Sequence, residues 1–335
     1  MKKPKANSVI GTTLINQMMK DRSIRTSITK DSFLYFFHFY YAHYVQYATA
    51  DFQKEIIHHL EKSHKENFYV CAFRGSGKST MVTTAYPIWS ILGKQKKKFV
   101  MIFTQTRVQA KQHMMNIRHE LEGNRMLKND LGPFQEESDE WGSYSLVFKK
   151  HGARITVASS EQSIRGSRHN QHRPDLFICD DVEDVQSTKT REGRNKTYNW
   201  LRSEVVPAGD KNTRLIIVGN LLHEDSLLMR IKGEVESEKT GGVFKMYPLI
   251  DHNDQCIWTG KYPDEKALEN EKKKVANENA WQREYLLRII PSDDQVIYPE
   301  WIQYYDELPG EKHKGYRGTY AGVDLAISSK DSADD

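Results

Sequence analysis

The sequence has no long apolar run and few cysteines, and each absence excludes a class of protein. A helix that spans a membrane needs about 20 apolar residues in a row, and no such run occurs. The basic residues 1–6 are not followed by an apolar core, so no signal peptide is expected. Cys71, Cys179 and Cys256 are odd in number and far apart, which excludes a cysteine metal site and indicates a reducing compartment.

An excess of charge of either sign is also lacking. The sequence contains 49 Lys and Arg residues and 45 Asp and Glu residues, which gives a net charge of +4. That balance permits a polyanionic partner without requiring one, and we interpret the lysine cluster at 94–98 as a solvated loop. No internal repeat or low-complexity tract interrupts the 335 residues. This length accommodates one large α/β domain and a smaller piece.

Apolar runs alternate with helical patterns along the chain. Buried strands are predicted at 68–73, 99–104, 176–179 and 215–218, and a β pair at 143–148 and 154–158. Helices are predicted at 33–47, which is dense in aromatic residues, and at 51–61, 107–121 and 264–287. We interpret the aromatic segment as a buried or docking helix, with base stacking as the alternative. Continuous apolar strands separated by helices indicate an α/β fold with a mostly parallel sheet that helices cover on both faces.

A glycine-rich turn follows the first of these strands and precedes a helix. Its residues are Arg74, Gly75, Ser76, Gly77, Lys78, Ser79 and Thr80. The backbone N–H groups of such a turn and the positive end of the helix suit a polyphosphate, so the sequence predicts a P-loop NTPase that binds ATP with Mg²⁺. Lys78 is expected to reach the β- and γ-phosphates, and the Ser79 hydroxyl to complete the Mg²⁺ shell. The chain departs from the full phosphate-loop motif at Ala72, where the motif has glycine.

Acidic residues follow the predicted strand at 176–179, at the edge of the sheet beside the phosphate loop. Asp180 is the expected Mg²⁺ ligand, through a water molecule. The next acid would orient and deprotonate the attacking water, a role for which we favour Asp181 and keep Glu183 as the alternative. Because these acids follow a buried strand and accompany a phosphate loop, we prefer this interpretation to helix capping.

Further polar residues are candidates for sensing and stabilising the phosphates. Asn220 and His223 follow the strand at 215–218, where a side chain can sense the γ-phosphate, and a turn-forming Gly-Asn pair is the structural alternative. Arg74 can stabilise the transferring phosphoryl group within its own subunit, and Arg165 can do so from a neighbouring subunit. Gln53 lies upstream of the loop and can read the adenine edge as both donor and acceptor.

The ordered set of motifs resembles the large terminase subunit of tailed bacteriophages, the ATP-driven motor that packages DNA into an empty capsid. The matching motifs, over roughly residues 33–290, are the aromatic helix, Asp51-Phe52-Gln53, the loop from Arg74 to Thr80, Gln109-Ala110 to Asn124, Ile164-Arg165-Gly166, Arg173 to Asp181, and Val218 to His223. The resemblance implies ATP hydrolysis coupled to translocation of double-stranded DNA. It also implies a small terminase subunit and the capsid portal as partners, a homo-oligomeric ring, no membrane, and the host cytoplasm with transient docking at the procapsid portal.

The same family carries a C-terminal nuclease with an RNase H-like fold, which would cut the DNA concatemer. Residues 321–326 resemble its first strand, which makes Asp324 the first carboxylate for Mg²⁺ or Mn²⁺. Two metal ions about 4 Å apart need several acids from different strands, so we expect no assembled nuclease in these 335 residues. The predicted organisation is an N-terminal helical segment at 1–50, a motor domain at 51–290, a linker at 291–315 and the first nuclease strand at 316–335.

Two other functions share parts of these motifs. A helicase or another nucleic-acid translocase also has a phosphate loop, an acidic strand end and a coupling motif, but helicases normally show two similar motor lobes and this sequence shows one. A nucleotide-dependent switch would bind ATP without turnover, and the acidic pair Asp180 and Asp181 argues against it. The sequence therefore favours the DNA-packaging ATPase.

Overall fold

Seven strands form one sheet in the computed structural model, which describes residues 6–62, 65–134, 140–162, 164 and 166–290. The strands are β1 (Phe68–Ala72), β2 (Phe99–Thr104), β3 (Ser145–Phe148), β4 (Ala153–Ser159), β5 (Leu176–Asp180), β6 (Arg214–Gly219) and β7 (Val243–Tyr247). Their order is β3-β4-β2-β5-β6-β1-β7, and every neighbouring pair is parallel except β3 and β4. The carboxyl ends of β1, β2, β5 and β6 therefore meet at one edge of the sheet.

Helices precede, connect and cover the strands. Before β1 lie α1 (Ala6–Lys20), α2 (Arg22–Asp31), α3 (Phe33–Tyr40) and α4 (Asp51–Lys62). A π-helical segment at Thr80–Ala85 continues as α5 (Tyr86–Leu92), and α6 (Arg107–Gly123) and α7 (Arg125–Leu131) follow β2. After β5 come α8 (Val185–Lys189), α9 (Arg191–Trp200), a π-helical segment at Leu201–Val205 and α10 (Val206–Ala208). The remaining helices are α11 (Leu227–Glu236), α12 (Glu265–Val275) and α13 (Glu278–Glu284).

Alternate residues of each central strand are buried on opposite faces of the sheet. On β1, Val70 and Ala72 belong to one hydrophobic cluster, while Tyr69 and Cys71 belong to the other. Helices α3 to α7 contribute to the first cluster, and α11 with the segment Leu201–Val205 contributes to the second. The sheet is thus covered on both faces, and the predicted P-loop NTPase fold class is confirmed up to residue 290.

The aromatic segment forms a buried helix, which ends at Tyr40, earlier than predicted. Phe33 and Phe36 are fully buried. The Phe33 ring lies 5.5 Å from the Tyr86 ring and 5.3 Å from the Trp89 ring of α5, between centroids. These rings are therefore used for packing, and residues 33–41 share a core with the sheet.

Strand β7 and the break between α12 and α13 were not predicted. β7 is a half-buried edge strand, so it lacks the continuous apolar run that marks the central strands. The predicted helix at 264–287 is divided because Ala276 has a left-handed φ of 51° and ends α12. Asn277 then caps α13, because its side chain accepts a hydrogen bond from Ala280 N.

The described residues include no helix that is long and apolar enough to cross a bilayer. The predicted linker at 291–315 and the predicted nuclease strand at 316–335, with Asp324, lie outside the described residues.

Candidate active site

The phosphate loop lies at the carboxyl end of β1. Gly75 and Gly77 have φ values of 76° and 84°, a left-handed conformation that glycine adopts without strain. A Cβ atom at these positions would stand 3.1 Å from Lys261 Nζ and 3.3 Å from Gln53 Nε2. Ala72 is the buried last residue of β1, so the motif glycine that this chain lacks would occupy a strand position with no need for a special backbone conformation.

One buried polar group of the phosphate loop has no hydrogen-bond partner among the described residues. The Ser76 hydroxyl is buried and has no hydrogen-bond partner in the described part of the chain. Leaving a buried hydroxyl unpaired is unfavourable, so a ligand oxygen is a fitting partner for it. Together with the glycine backbone and the helix that begins at Lys78, this makes the loop fit a polyphosphate.

Asp180, at the end of β5, contacts the helix that follows the phosphate loop. Its Oδ1 accepts a hydrogen bond from Ser79 Oγ at 3.1 Å, and its Oδ2 accepts one from Thr83 Oγ1 at 2.6 Å. His113 Nε2 of α6 lies 3.7 Å from the same Oδ2. The structure thus brings together the two predicted Mg²⁺ ligands, Ser79 and Asp180, whose hard oxygen atoms fit that cation.

A second network joins the loop to the end of β6. Lys78 Nζ donates to Asn220 Oδ1, and Asn220 Nδ2 donates to Glu284 Oε2 at 2.6 Å. Arg74 Nε donates to the same carboxylate oxygen at 3.1 Å, and Arg74 N donates to the Glu284 carbonyl at 2.8 Å. The Arg74 side chain is 65% exposed while that of Glu284 is 7% exposed. The guanidinium is therefore held at its base by a buried acid and faces solvent.

Asp181 follows β5 in a left-handed conformation, with φ of 45°. Such a backbone is unfavourable for most residues with a side chain. It is held here by the hydrogen bond from Asp181 N to Val218 O at 3.0 Å. Desolvation of its carboxyl group by the surrounding protein atoms is the main cause that raises the pKa of Asp181, and the charge of Asp180 is the second. The residue nevertheless keeps an exposed surface.

Glu183 caps α11, a helix that begins well after it in the sequence. Its Oε2 accepts a hydrogen bond from Leu227 N, the first residue of α11, at 2.8 Å. Its Oε1 is buried with no hydrogen-bond partner among the described residues. Burial raises the pKa of Glu183 to about 7. The helix-capping interpretation that we set aside for the acidic run thus describes the contact of Glu183, while its catalytic role stays a prediction.

The raised pKa of Glu183 predicts how stability changes with pH. Between the ordinary value of 4.5 and about 7, the folded chain holds a proton that the unfolded chain has lost, so the contribution of Glu183 to stability falls as pH rises. Glu183→Gln lacks this dependence. The free energy of unfolding of the variant should therefore increase relative to that of the wild type as the pH rises from 5 to 8. Urea denaturation across this range measures the difference. The exposed Glu192→Gln serves as control; a constant difference for Glu183→Gln would contradict the assignment.

A cavity of about 240 Å³ lies beside the phosphate loop. Its lining includes Phe37, Tyr44, Tyr47, Gln53, Thr80, Trp258 and Lys261. Gln53 Nε2 donates to Ser76 O at 2.8 Å, and Gln53 Oε1 accepts from Ala50 N at 3.0 Å. Each of these atoms has a second hydrogen-bonding position, so Gln53 can support the loop and still meet a base.

Two predicted residues lie elsewhere or outside the described residues. Arg165 is outside them, and its role stays a prediction. His223 Nδ1 accepts a hydrogen bond from Asp225 N at 2.9 Å, within the turn before α11. Burial and then the charge of Arg194 lower the pKa of His223. His223 therefore stabilises that turn, and Asn220 is the sensor candidate that contacts the loop.

Sequence reasoning missed several residues of this site, including Thr83, His113, Glu284 and Lys261. Thr83 could have been found, because it is four residues from Ser79 on one helix and so lies on the same face. Glu284 is separated from Arg74 by 210 positions. Lys261 Nζ donates to Gly75 O at 3.2 Å and lies 5.2 Å from the Trp258 ring centroid. No local pattern links Glu284 or Lys261 to the loop.

A phosphate loop after β1, an acid at the end of β5 and a polar side chain at the end of β6 define a P-loop NTPase fold. The sequence model of the family described as DEAD/DEAH box helicase matches residues 50–217, half of the chain. The chain belongs to this family.

Curated relatives carry a more specific name. Proteins named terminase large subunit, from Lactococcus phage SK1 and Lactococcus phage p2, are each 24% identical to this chain over 275 residues, which is 76% of this chain and 47% of each relative. The chain thus spans about half the length of the curated relatives it matches. The crystal structure of the HK97 bacteriophage large terminase is similar with a TM-score of 0.50 and 16% identity, over 71% of this chain and 50% of that one. The resemblance to large terminase subunits is confirmed, and the structural likeness supports the fold.

Proposed function

We propose that this chain is the ATPase motor of a DNA-packaging machine and drives double-stranded DNA into a viral capsid. The observation that carries the proposal is the contact between Ser79 and Asp180 at 3.1 Å, which joins the phosphate loop to the acidic end of β5. This arrangement suits hydrolysis, since one edge of the sheet holds both the phosphates and the acids that act on them. The terminase name of the curated relatives supports DNA packaging as the use of that hydrolysis.

In the proposed reaction, water attacks the γ-phosphorus of ATP and the bond to the bridging oxygen of ADP breaks. The loop N–H groups and Lys78 would hold the phosphates, and Ser79 and Asp180 would hold Mg²⁺. Bound Mg²⁺ would neutralise charge on the β- and γ-phosphate oxygens. Asp181 orients the water and accepts its proton, and the Arg74 guanidinium stabilises charge on the transferring phosphoryl group, with Arg165 of a neighbouring subunit as the alternative.

Coupling to movement follows from the contacts of Asn220. Lys78 donates to Asn220, and Asn220 donates to Glu284, so a γ-phosphate that draws Lys78 away would leave Asn220 held by Glu284 alone. Asn220 begins the segment that leads to α11, whose first N–H is held by Glu183. Loss of the γ-phosphate would therefore reposition both ends of this segment relative to the sheet.

The remaining assignments rest on the resemblance and are part of this proposal. They are a motor domain at 51–290 preceded by a helical segment, a linker and nuclease strand after it with Asp324 as a metal ligand, adenine recognition by Gln53, a ring of subunits at the portal with a small terminase subunit, and action in the host cytoplasm.

The proposal is tested by steady-state ATPase measurements with and without double-stranded DNA. We expect hydrolysis that duplex DNA stimulates, because a motor couples turnover to its track. Hydrolysis that no nucleic acid changes would contradict a DNA motor, and binding of ATP without hydrolysis would indicate a switch.

A helicase is the second candidate, because the matching family model carries that description. A strand-displacement assay on a partly single-stranded duplex distinguishes it. A packaging motor is expected to hydrolyse ATP on intact duplex and release no strand, whereas ATP-dependent release of the labelled strand would favour the helicase.

A further inference from the structure

Lysines from three distant parts of the sequence line one groove. Lys30 lies in the last turn of α2, Lys94, Lys96 and Lys98 lie between α5 and β2, and Lys150 lies in the turn before β4. The groove has a volume of about 580 Å³. Because Lys98 precedes β2 and the turn at Lys149–His151 precedes β4, the groove lies at the amino ends of parallel strands, at the edge of the sheet opposite the phosphate loop.

The groove is a built feature, because hydrogen bonds to the main chain hold its three walls together. Lys94 N donates to Lys30 O at 2.9 Å, which joins the loop after α5 to the end of α2. Lys98 Nζ donates to His151 O at 2.6 Å, which joins the same loop to the turn before β4. Gly93 allows this approach, since a Cβ there would stand 2.9 Å from Lys30 O.

Positive charge in the groove exceeds the negative charge that faces it. Lys94 Nζ lies 3.5 Å from Asp31 Oδ1 and 3.5 Å from Glu61 Oε1, so that lysine is compensated. Lys30, Lys96 and Lys150 are exposed and make no ion pair with a described residue. Burial, and then the charges of Lys150, Lys98 and Lys30, lower the pKa of His151. The three lysines therefore lie close enough to the imidazole ring to act on it together.

The sequence cluster at 94–98 is thus divided by the fold. Lys97 is buried, and its Nζ donates to Asp175 O at 2.7 Å. The other three lysines of the cluster, Lys94, Lys96 and Lys98, line the groove. The interpretation of the whole cluster as a solvated loop was therefore wrong for Lys97, and it did not include Lys30 and Lys150.

We infer that this lysine groove, defined by Lys30, Lys94, Lys96, Lys98 and Lys150, holds the phosphate backbone of the double-stranded DNA that the proposed motor moves. The inference rests on the proposed function and names the surface that grips its track. Duplex DNA carries one negative charge for about every 1.7 Å of its axis, so several lysines in one groove can each meet a phosphate.

The chemistry of the lining favours contacts to phosphate over contacts to bases. Lysine is a flexible point charge, whereas base edges are read by Arg, Asn and Gln through paired hydrogen bonds. The residues that line the groove include none of these three types. A motor that passes along DNA of any sequence requires such sequence-independent contacts.

The test measures binding of a fluorescein-labelled duplex of about 30 base pairs by anisotropy, in about 50 to 200 mM salt. Lys30→Gln/Lys96→Gln/Lys150→Gln removes three groove charges. Lys196→Gln/Lys239→Gln/Lys266→Gln removes three exposed lysines from other surfaces and serves as the matched control. Lys30→Arg/Lys96→Arg/Lys150→Arg keeps the groove charge. Basal ATPase without DNA reports on folding, because none of these residues contacts the active site.

The groove variant should bind at least about tenfold more weakly at the lowest salt, and its plot of log affinity against log salt should be about two to three units less steep, since each phosphate contact contributes about 0.9. The control and arginine variants should bind like the wild type, and all should keep basal ATPase. If the wild type binds DNA and the groove variant binds equally well, the inference fails while the proposed function stands. If the wild type hydrolyses ATP but binds no duplex, both fail.

Discussion

Lys78→Ala is expected to lower kcat for ATP hydrolysis by about 100-fold or more, the size of effect seen when one preorganised donor to a developing negative charge is removed. Lys78 is the cation that we expect to reach the phosphates, and its Nζ donates to Asn220 Oδ1. Alanine therefore removes both the charge on the phosphates and the connection to the sensor. Steady-state phosphate release measures the loss.

The control for this variant is Lys54→Ala, which removes an exposed lysine that pairs with Asp51 on α4. It should hydrolyse ATP at the wild-type rate. Thermal melting of Lys78→Ala should show one cooperative transition, because the sheet and both hydrophobic clusters are untouched. Near-normal turnover by a folded Lys78→Ala protein would overturn the assignment of the nucleotide site.

Asp181→Asn is expected to bind ATP with unchanged affinity and to cleave it about 10²- to 10⁴-fold more slowly, the contribution typical of a general base. Asparagine preserves the shape of the side chain and tolerates the left-handed backbone at this position. It cannot accept a proton from water. Filter binding of radiolabelled ATP gives the affinity, and a single-turnover assay gives the cleavage rate.

Glu183→Gln is the matched comparison, because it also replaces one acid of the run after β5 with its amide. Glutamine can still accept the hydrogen bond from Leu227 N, so we expect near-normal cleavage of ATP and a changed dependence of stability on pH. If Glu183→Gln binds ATP without cleaving it and Asp181→Asn hydrolyses normally, the roles of the two acids are exchanged.

The phosphate loop and the positions of the central strands along the chain were predictable because their causes are local. Gly75 and Gly77 indicate a backbone conformation that only glycine adopts freely, and both residues have a positive φ. Strand β2 matches its prediction at 99–104, since a continuous apolar run between two parallel neighbours has no other arrangement that buries both faces. Asp180 was placed correctly beside the loop for the same reason: parallel strands bring their carboxyl ends to one edge.

The contacts that refine the site could not be read from local patterns. Glu284 contacts Arg74 and Asn220 from the end of α13, which is distant from both in the sequence. The sequence left Asp181 and Glu183 as alternatives for one role, and it gave no sign that Glu183 contacts Leu227 N at the start of α11.

By itself the sequence determined that this protein has a phosphate loop, an acidic strand end and a parallel sheet, because each depends on residues within a few positions of one another. Only the tertiary structure decided which acid faces the loop and which caps α11, and only it brought Lys30 and Lys150 beside Lys96. Contacts between distant segments depend on how helices pack over both faces of the sheet, and that packing is a property of the whole chain.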